Sequence, residues 1–124
     1  MIRLAAADIE TALEGILLGR GCPSSHAGTV AREMTRNSLE GTYTHGINRF
    51  SRLVRDIDRG FIDTRAVPTL EAAFGALERY DGHLGFGITN AWFAMDRAAD
   101  LASKHGIGCV ALGNTNHWLR AATY

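Results

Sequence analysis

The sequence contains few cysteines, no long run of apolar residues and no excess of either charge. Its 2 cysteines, Cys22 and Cys109, lie far apart without metal-ligand spacing, so we predict no disulfide framework and expect a reducing cytoplasm. No segment approaches the roughly 20 consecutive apolar residues that cross a bilayer. In the segment from Met1 to Asp8, the acidic residue comes before a signal-peptide apolar core is complete. We therefore expect neither a membrane span nor secretion.

The charge balance excludes several classes of partner. Thirteen lysines and arginines are matched by 13 aspartates and glutamates, and neither sign forms a long block. This pattern lacks the electrostatic footprint of a protein that binds nucleic acid or a membrane surface. A length of 124 residues with 46% hydrophobic residues is sufficient for one buried core. A folded protein with a small-molecule partner fits these observations best.

The first part of the sequence predicts three helices. The first begins at the N-cap Asp8 and ends at Gly19, and the third runs from about Ile47 to Asp58. The second follows Pro23, and its periodicity divides its side chains between two faces. The residues predicted to be buried are Val30, Met34 and Leu39. The residues predicted to face solvent are Arg32, Glu33 and Arg36.

The second part predicts strands around one long helix. The region 61–80 is interpreted as a hairpin around Gly75. The glycine cluster 81–87 opens a helix from about residue 88 to 105, and a strand over 107–112, buried on both faces, follows it. The inner stripe of that helix is predicted to be Trp92, Met95, Ala99 and Ala102. The order predicts an α/β fold: a helical amino-terminal portion, then strands and a helix packing on a mixed sheet.

Two residues of the segment 44–50 are candidates for chemistry. His45 and Arg49 share one helical face if the helix starts at or before His45. An arginine can hold a carboxylate through two parallel hydrogen bonds, and a histidine can donate a proton to a neighbouring carbonyl oxygen. The pair therefore suits a small anionic 2-oxo acid. The alternative is that His45 packs near a helix start and Arg49 is a solvated arginine, and the spacing alone favours this alternative.

His117 follows the last predicted strand, where ligands of open α/β sheets collect. Asn114 and Asn116 could position it or line a pocket; equally, all three could form a polar turn. The glycine cluster reads G-x-x-G-x-G, which is not the dinucleotide fingerprint, so a tight entry into the next helix is favoured over phosphate binding. The residues His45, Asp81, His83 and His117 show no ligand spacing, and we predict no metal site.

Several motifs occur in an order that resembles the type 2 malate/L-lactate dehydrogenase family, which is distinct from the Rossmann-fold lactate and malate dehydrogenases. They are the segment 37–50, Asp81-Gly82, the helix and strand 96–108, and the segment 113–118. The sequence is most similar to members with Trp118-Leu119-Arg120 after the histidine, where other members commonly have phenylalanine and glycine. The resemblance covers nearly the whole sequence.

The resemblance implies an oxidoreductase that transfers a hydride between a nicotinamide cofactor and a 2-oxo acid. His45 matches the acid that protonates the substrate oxygen, and Arg49 matches the residue that holds the substrate carboxylate. His117 is expected in the active-site region. The lesser substrate-binding candidates are Thr44, Asn116 and Arg120. Thr44 stands where serine is usual, which puts the orientation of His45 in question. The family implies NAD or NADP, with NADH favoured, and a homodimer.

Family members are much longer chains. We therefore expect residues 1–124 to be the amino-terminal part of such an oxidoreductase, with the cofactor-binding part mostly absent and with no turnover by this part alone. No residue is assigned to the cofactor. One alternative is a noncatalytic interaction module that self-associates through an unpaired strand edge. Another is a small-molecule binder without chemistry, in which His45→Ala would leave ligand affinity unchanged.

Overall fold

The computed structural model describes residues 3–124. Met1 and Ile2, on which part of the signal-peptide expectation rests, lie outside the described residues. The chain divides into two compact units: the chain up to Arg65 together with Thr123, and Ala66–Ala122 together with Tyr124. Helices form the first unit, and a mixed sheet with one long helix forms the second. The predicted α/β class is confirmed.

The first unit contains three α-helices: α1 spans Ala6–Leu18, α2 spans Ser24–Leu39 and α3 spans Phe50–Asp58. Two short 3-10 turns, Tyr43–His45 and Ile47–Arg49, connect α2 to α3. The three predicted helices are thus present. The predicted start of the third helix, Ile47, is wrong, because Ile47–Arg49 forms a separate 3-10 turn and α3 begins at Phe50.

The helices α1 and α2 pack against each other and supply much of the core of this unit. The buried residues at the centre are Leu13, Leu17, Val30 and Met34. The prediction of Asp8 as the N-cap is wrong: Ala5 occupies that position, and its carbonyl accepts the amide of Ile9 at 3.2 Å. Asp8 lies in the first helical turn, where its carboxylate complements the positive end of the helix dipole.

Two assignments on α2 are reversed in the structure. Leu39, predicted to be buried, is 70% exposed, and Glu33, predicted to face solvent, is 2% exposed. The helical repeat explains both, because Glu33 lies three residues after Val30, whereas Leu39 lies five residues after Met34 and so points well away from that stripe. Asn37, at the correct spacing, is buried instead.

The second unit is built on a three-stranded sheet with the order β1-β2-β3. The strand β1, Thr69–Phe74, pairs antiparallel with β2, Leu77–Asp81. The turn between them contains Gly75, as the hairpin interpretation predicted. The strand β3, Cys109–Gly113, pairs parallel with β2, and α4, Gly87–His105, connects the two as a βαβ crossover.

One face of this sheet is covered by α4. The Phe93 ring meets the Tyr80 ring edge-on with centroids 4.9 Å apart, and the guanidinium of Arg97 donates two hydrogen bonds to the Glu78 carboxylate, each 2.6 Å long. The helix is therefore anchored by apolar contact and by an ion pair. Its buried side includes Ile88, Ala91, Ala94 and Leu101. The predicted stripe of Trp92, Met95, Ala99 and Ala102 is wrong by one residue, a rotation of about 100°.

The opposite face of the sheet carries no covering element among residues 3–124. We call it the open face. By strand register it presents the side chains of Ala72, Phe74, Leu77, Arg79, Cys109 and Ala111. Phe74 is 86% exposed and Leu77 46% exposed. The strand β3 was predicted to be buried on both faces, but Cys109 and Ala111 are exposed on this one, so that prediction is wrong. Within the described residues, no helix has the length and apolar character needed to cross a membrane.

Candidate active site

The first group of candidate residues lies on the two 3-10 turns of the first unit. His45 ends the turn Tyr43–His45, and its Nδ1 lies 3.0 Å from the hydroxyl of Thr44. Gly46 follows in an extended backbone conformation and interrupts the helical path before Ile47–Arg49. The premise that His45 and Arg49 share one face of a continuous helix is therefore wrong. Both residues nevertheless belong to the same compact connection between α2 and α3.

The end of α2 holds this connection in place. The Asn37 amide donates to the carbonyl oxygen of His45 at 3.1 Å, and the Ser38 hydroxyl accepts the amide of Ile47 at 2.9 Å. Gly46 packs so closely that an added Cβ would overlap the Ser38 hydroxyl and approach the carbonyl oxygen of Met34 to 3.0 Å. His45 is thus fixed through its main chain on both sides.

Arg49 ends the second turn, immediately before α3. It is half-buried, and no hydrogen bond or ion pair of its guanidinium is formed within residues 3–124. Other arginines of this unit differ. Arg20 pairs with Asp58 at 2.8 Å, and Arg36 pairs with Glu40 at 2.8 Å. Arg49 therefore keeps its planar set of donors available for an anion.

The second group of candidates lies in the second unit, after β3. The Nδ1 atom of His117 accepts the amide of Leu119 at 2.8 Å, which fixes the ring against its own turn. The amide nitrogen of Asn116 donates to the carbonyl oxygens of Leu84 at 2.6 Å and Gly85 at 3.2 Å. This contact gives Asn116 a role in holding the segment. Arg120 is half-buried at the start of the last turn.

Two loop segments of the second unit are joined along their backbones: the glycine segment, residues 82–87, and the histidine segment, residues 113–119. The Gly82 amide donates to the carbonyl oxygen of Gly113 at 2.9 Å, and the Leu84 amide donates to that of Asn114 at 2.8 Å. Gly87 packs directly on the backbone of Asn116 and His117, where a Cβ would overlap main-chain atoms. The glycines therefore serve close backbone packing at the entry to α4.

Backbone strain is concentrated in the same two segments. Within residues 3–124 the non-glycine residues with positive φ are His83, Leu84, Asn114 and Leu119, at 49°, 56°, 49° and 66°. Such conformations cost free energy and persist where surrounding contacts determine them, often near binding sites. The sequence identified His117 and the asparagines but not this strained pairing of two loops.

Asp81, at the carboxyl end of β2, accepts hydrogen bonds from both of the joined loop segments. Its Oδ1 accepts the backbone amide of His83 at 2.7 Å and the side-chain amide of Asn114 at 2.8 Å. These hydrogen bonds, the first from His83 and the second from Asn114, lower the pKa of Asp81. Among residues 3–124 no group of three or more histidine, cysteine, aspartate or glutamate side chains is placed to hold a metal ion.

The structure therefore gathers the candidates into two groups, one in each unit. Thr44, His45 and Arg49 form the first, and the second contains Asn116, His117 and Arg120. Sequence reasoning missed Asn37 and Ser38, which hold the histidine turn. The two residues open the motif 37–50, but an Asn-Ser pair at the end of a helix is shared by many helices and does not indicate this task.

Comparisons with known proteins agree on one family. Residues 4–124 match the family model described as malate/L-lactate dehydrogenase. The 2,3-diketo-L-gulonate reductase of Haemophilus influenzae is 37% identical over 123 residues, and that of Klebsiella pneumoniae is 38% identical over the same length. The alignments cover 99% of this chain and 37% of each relative, so the chain spans little more than a third of their length.

Solved structures give the same result. The malate dehydrogenase of Pyrococcus horikoshii superposes with a TM-score of 0.94 at 27% identity, over 99% of this chain and 35% of that one. The sulfolactate dehydrogenase of Methanocaldococcus jannaschii superposes with a TM-score of 0.94 at 28% identity, over 99% of this chain and 36% of that one. The fold of the described residues is therefore shared with proteins of this kind.

Proposed function

Because the chain belongs to the malate/L-lactate dehydrogenase family, we propose that it carries substrate-binding and proton-donating residues of a 2-oxo acid reductase. The observation that carries this proposal is the connection between α2 and α3. It combines a histidine paired with a hydroxyl at 3.0 Å and, four residues later, an arginine that no other described residue pairs. The named relatives, diketogulonate reductase and malate and sulfolactate dehydrogenases, support this class of reaction.

The proposed chemistry assigns one task to each residue. Arg49 holds the carboxylate of the 2-oxo acid through charge-assisted hydrogen bonds. His45 donates a proton to the carbonyl oxygen as hydride reaches the keto carbon, which yields the 2-hydroxy acid. The Thr44 hydroxyl accepts from Nδ1–H of the protonated ring, so that Nε2 carries the transferable proton. In the second unit, His117 and Arg120 are proposed as further substrate contacts, and Asn116 as their support.

The hydride source is proposed to be NAD or NADP in reduced form, with NADH favoured by the resemblance. The glycine segment does not fit the pyrophosphate of such a cofactor, because its glycines already contact protein. A Cβ on Gly82 would approach the Asn90 amide to 2.7 Å, and one on Gly87 would overlap the backbone of His117. We therefore assign no described residue to the cofactor and derive no step through it. The prediction that residues 1–124 alone do not turn over stays a prediction, which saturable NADH-dependent reduction would contradict.

Titration with pyruvate, the simplest 2-oxo acid, tests the proposal without the cofactor. Replacing Arg49 by methionine removes the carboxylate ligand, and we expect affinity to fall roughly tenfold to a hundredfold, the worth of charged hydrogen bonds. Arg55→Met, which removes an exposed arginine of α3, is the matched control and should bind as the unchanged chain does. Equal affinities of the two variants would overturn the assignment of Arg49.

Replacing the imidazole of His45 tests the second contact in the same titration. His45→Gln leaves only a neutral amide to donate to the carbonyl oxygen, so we expect pyruvate affinity to fall severalfold, because a hydrogen bond from a charged group is stronger than one from a neutral group. His105→Gln, at the exposed end of α4, should bind as the unchanged chain does. Equal affinities of the two variants would overturn the assignment of His45.

A second candidate function, a noncatalytic self-association module, is favoured by the open face. An apolar sheet surface carrying a phenylalanine that is 86% exposed is unusual for a monomer. The same variants distinguish the two candidate functions. His45→Gln and Arg49→Met should change pyruvate binding but leave self-association unchanged.

A further inference from the structure

Asn90 lies in the first turns of α4 and connects the two loop segments of the second unit. Its side chain is fully buried. The amide nitrogen donates to the carbonyl oxygen of Gly82 at 3.1 Å and to the hydroxyl of Thr115 at 2.8 Å. One acceptor belongs to the glycine segment and the other to the histidine segment. A single rigid helical side chain therefore spans both.

The other half of this amide is unsatisfied. The Oδ1 atom of Asn90 is buried and has no hydrogen-bond partner within residues 3–124. A buried polar atom without a partner is costly, and a leucine of similar volume would avoid that cost. Filling space therefore does not explain an asparagine at this position. Its two donated hydrogen bonds do.

The histidine segment needs such support. Asn114 and Leu119, which flank His117, both have positive φ, at 49° and 66°. Without surrounding contacts, each of these two residues would relax to a more favourable backbone conformation, and His117 would move with them. Thr115 lies between the two strained positions, so its hydrogen bond from Asn90 fixes the segment on the side that precedes the histidine.

We propose that Asn90 is a positioning residue for His117. It fixes the 113–119 backbone so that Nδ1 of His117 accepts the Leu119 amide and the neutral ring carries its proton on Nε2. The inference rests on the proposed function insofar as His117 contacts substrate. Asn90 itself contacts no reacting group in this assignment and acts only through the loop.

The test uses nitrogen-15 NMR of the ligand-free chain, so its outcome is independent of pyruvate binding. Two observables are followed: the tautomer of the His117 ring and the exchange rate of the Leu119 amide. Thr115→Val and Asn90→Leu each remove the connection. We expect Leu119 exchange to accelerate about tenfold, as loss of one buried hydrogen bond implies, and the Nε2–H tautomer to lose population.

Two further variants separate positioning from general stability. Thr115→Ser restores the hydroxyl and should return both observables to their original values. Thr89→Val removes a hydrogen bond to the Phe86 carbonyl oxygen, 3.1 Å long, at the same end of α4 without reaching the histidine segment, and should leave both unchanged. If Asn90→Leu does not fold, the threonine series decides.

Unchanged His117 and Leu119 signals in Thr115→Val would overturn the proposal, and so would equal changes in Thr89→Val. A failure of the proposed function appears differently. In that case the ligand-free signatures respond as expected, but added pyruvate does not shift the His117 ring resonances of the unchanged chain.

Discussion

At the scale of single residues, the candidate histidine depends on neighbours that have no chemistry of their own. His45 was a candidate from its spacing to Arg49 and from the family resemblance, and Thr44 was a candidate from the resemblance alone. Gly46 was not, since its importance arises only when the chain returns to α2 and meets Ser38 and the carbonyl oxygen of Met34. A sequence pattern within 44–50 contains no information about that return.

Gly46→Ala should therefore damage the histidine turn. The new methyl group overlaps Ser38, and we expect a loss of about 1–3 kcal/mol in unfolding free energy, typical of overpacking. Resonances of His45 should shift as the turn leaves α2. Urea unfolding measures the first effect and NMR the second.

Gly15→Ala is the matched control for this prediction. Gly15 lies inside α1, and apart from its chain neighbours and the backbone of the same helix no described atom lies within 4 Å of the position that a methyl group would take there. Alanine should therefore stabilise the chain by about 0.4–1 kcal/mol. A neutral or stabilising effect of Gly46→Ala would contradict the close approach.

At the scale of elements, the type and approximate extent of each helix and strand could be predicted from the periodicity of the sequence. Which face of a helix is buried could not. The α4 stripe was placed on the large side chains Trp92 and Met95, whereas alanines face the sheet. Small residues allow a helix to approach closely, and the longer Arg97 then reaches Glu78 from the flank. This arrangement depends on strand partners distant in sequence, which a helical repeat cannot reveal.

The Glu78 carboxylate makes this contact dependent on pH. Hydrogen bonds from Arg97, and then from the Tyr80 hydroxyl, lower the pKa of Glu78 to about 2 from an ordinary value of 4.5. A lowered pKa in the folded state means that the stabilisation is fully present above about pH 4.5 and is lost as the pH falls towards 2. Acid should therefore weaken the attachment of α4 to β2.

Glu78→Gln should lower the melting temperature at neutral pH and flatten its decline over that acid range. Glu71→Gln is the matched control, because Glu71 pairs with Arg79 at 3.0 Å on the exposed open face, where ion pairs contribute little. Melting curves recorded between neutral pH and pH 2 measure both variants. Parallel declines in Glu78→Gln and the unchanged chain would show that another group controls the acid response.

At the scale of the whole molecule, the α/β class could be predicted from the order of helix, glycine and strand. The exposure of one face of the sheet could not be predicted from that order. A short apolar strand bounded by glycines is typical of a sheet covered on both sides. Residues 3–124 cover one side only, and the chain aligns with 37% of the length of its relative from Haemophilus influenzae. Sequence patterns predict that a strand requires partners but not which chain supplies them.

The open face should therefore drive association between copies of this chain. The formal net charge of zero provides no long-range repulsion, and the face itself carries both Arg79 and the paired Glu71. Phe74→Lys places a charge at its most exposed apolar position and should shift sedimentation towards the monomer across a concentration series. Leu39→Lys changes a leucine that is 70% exposed at the end of α2 and should leave association unchanged. A chain that is monomeric throughout the series, or equal association of both variants, would exclude the open face as a contact between copies.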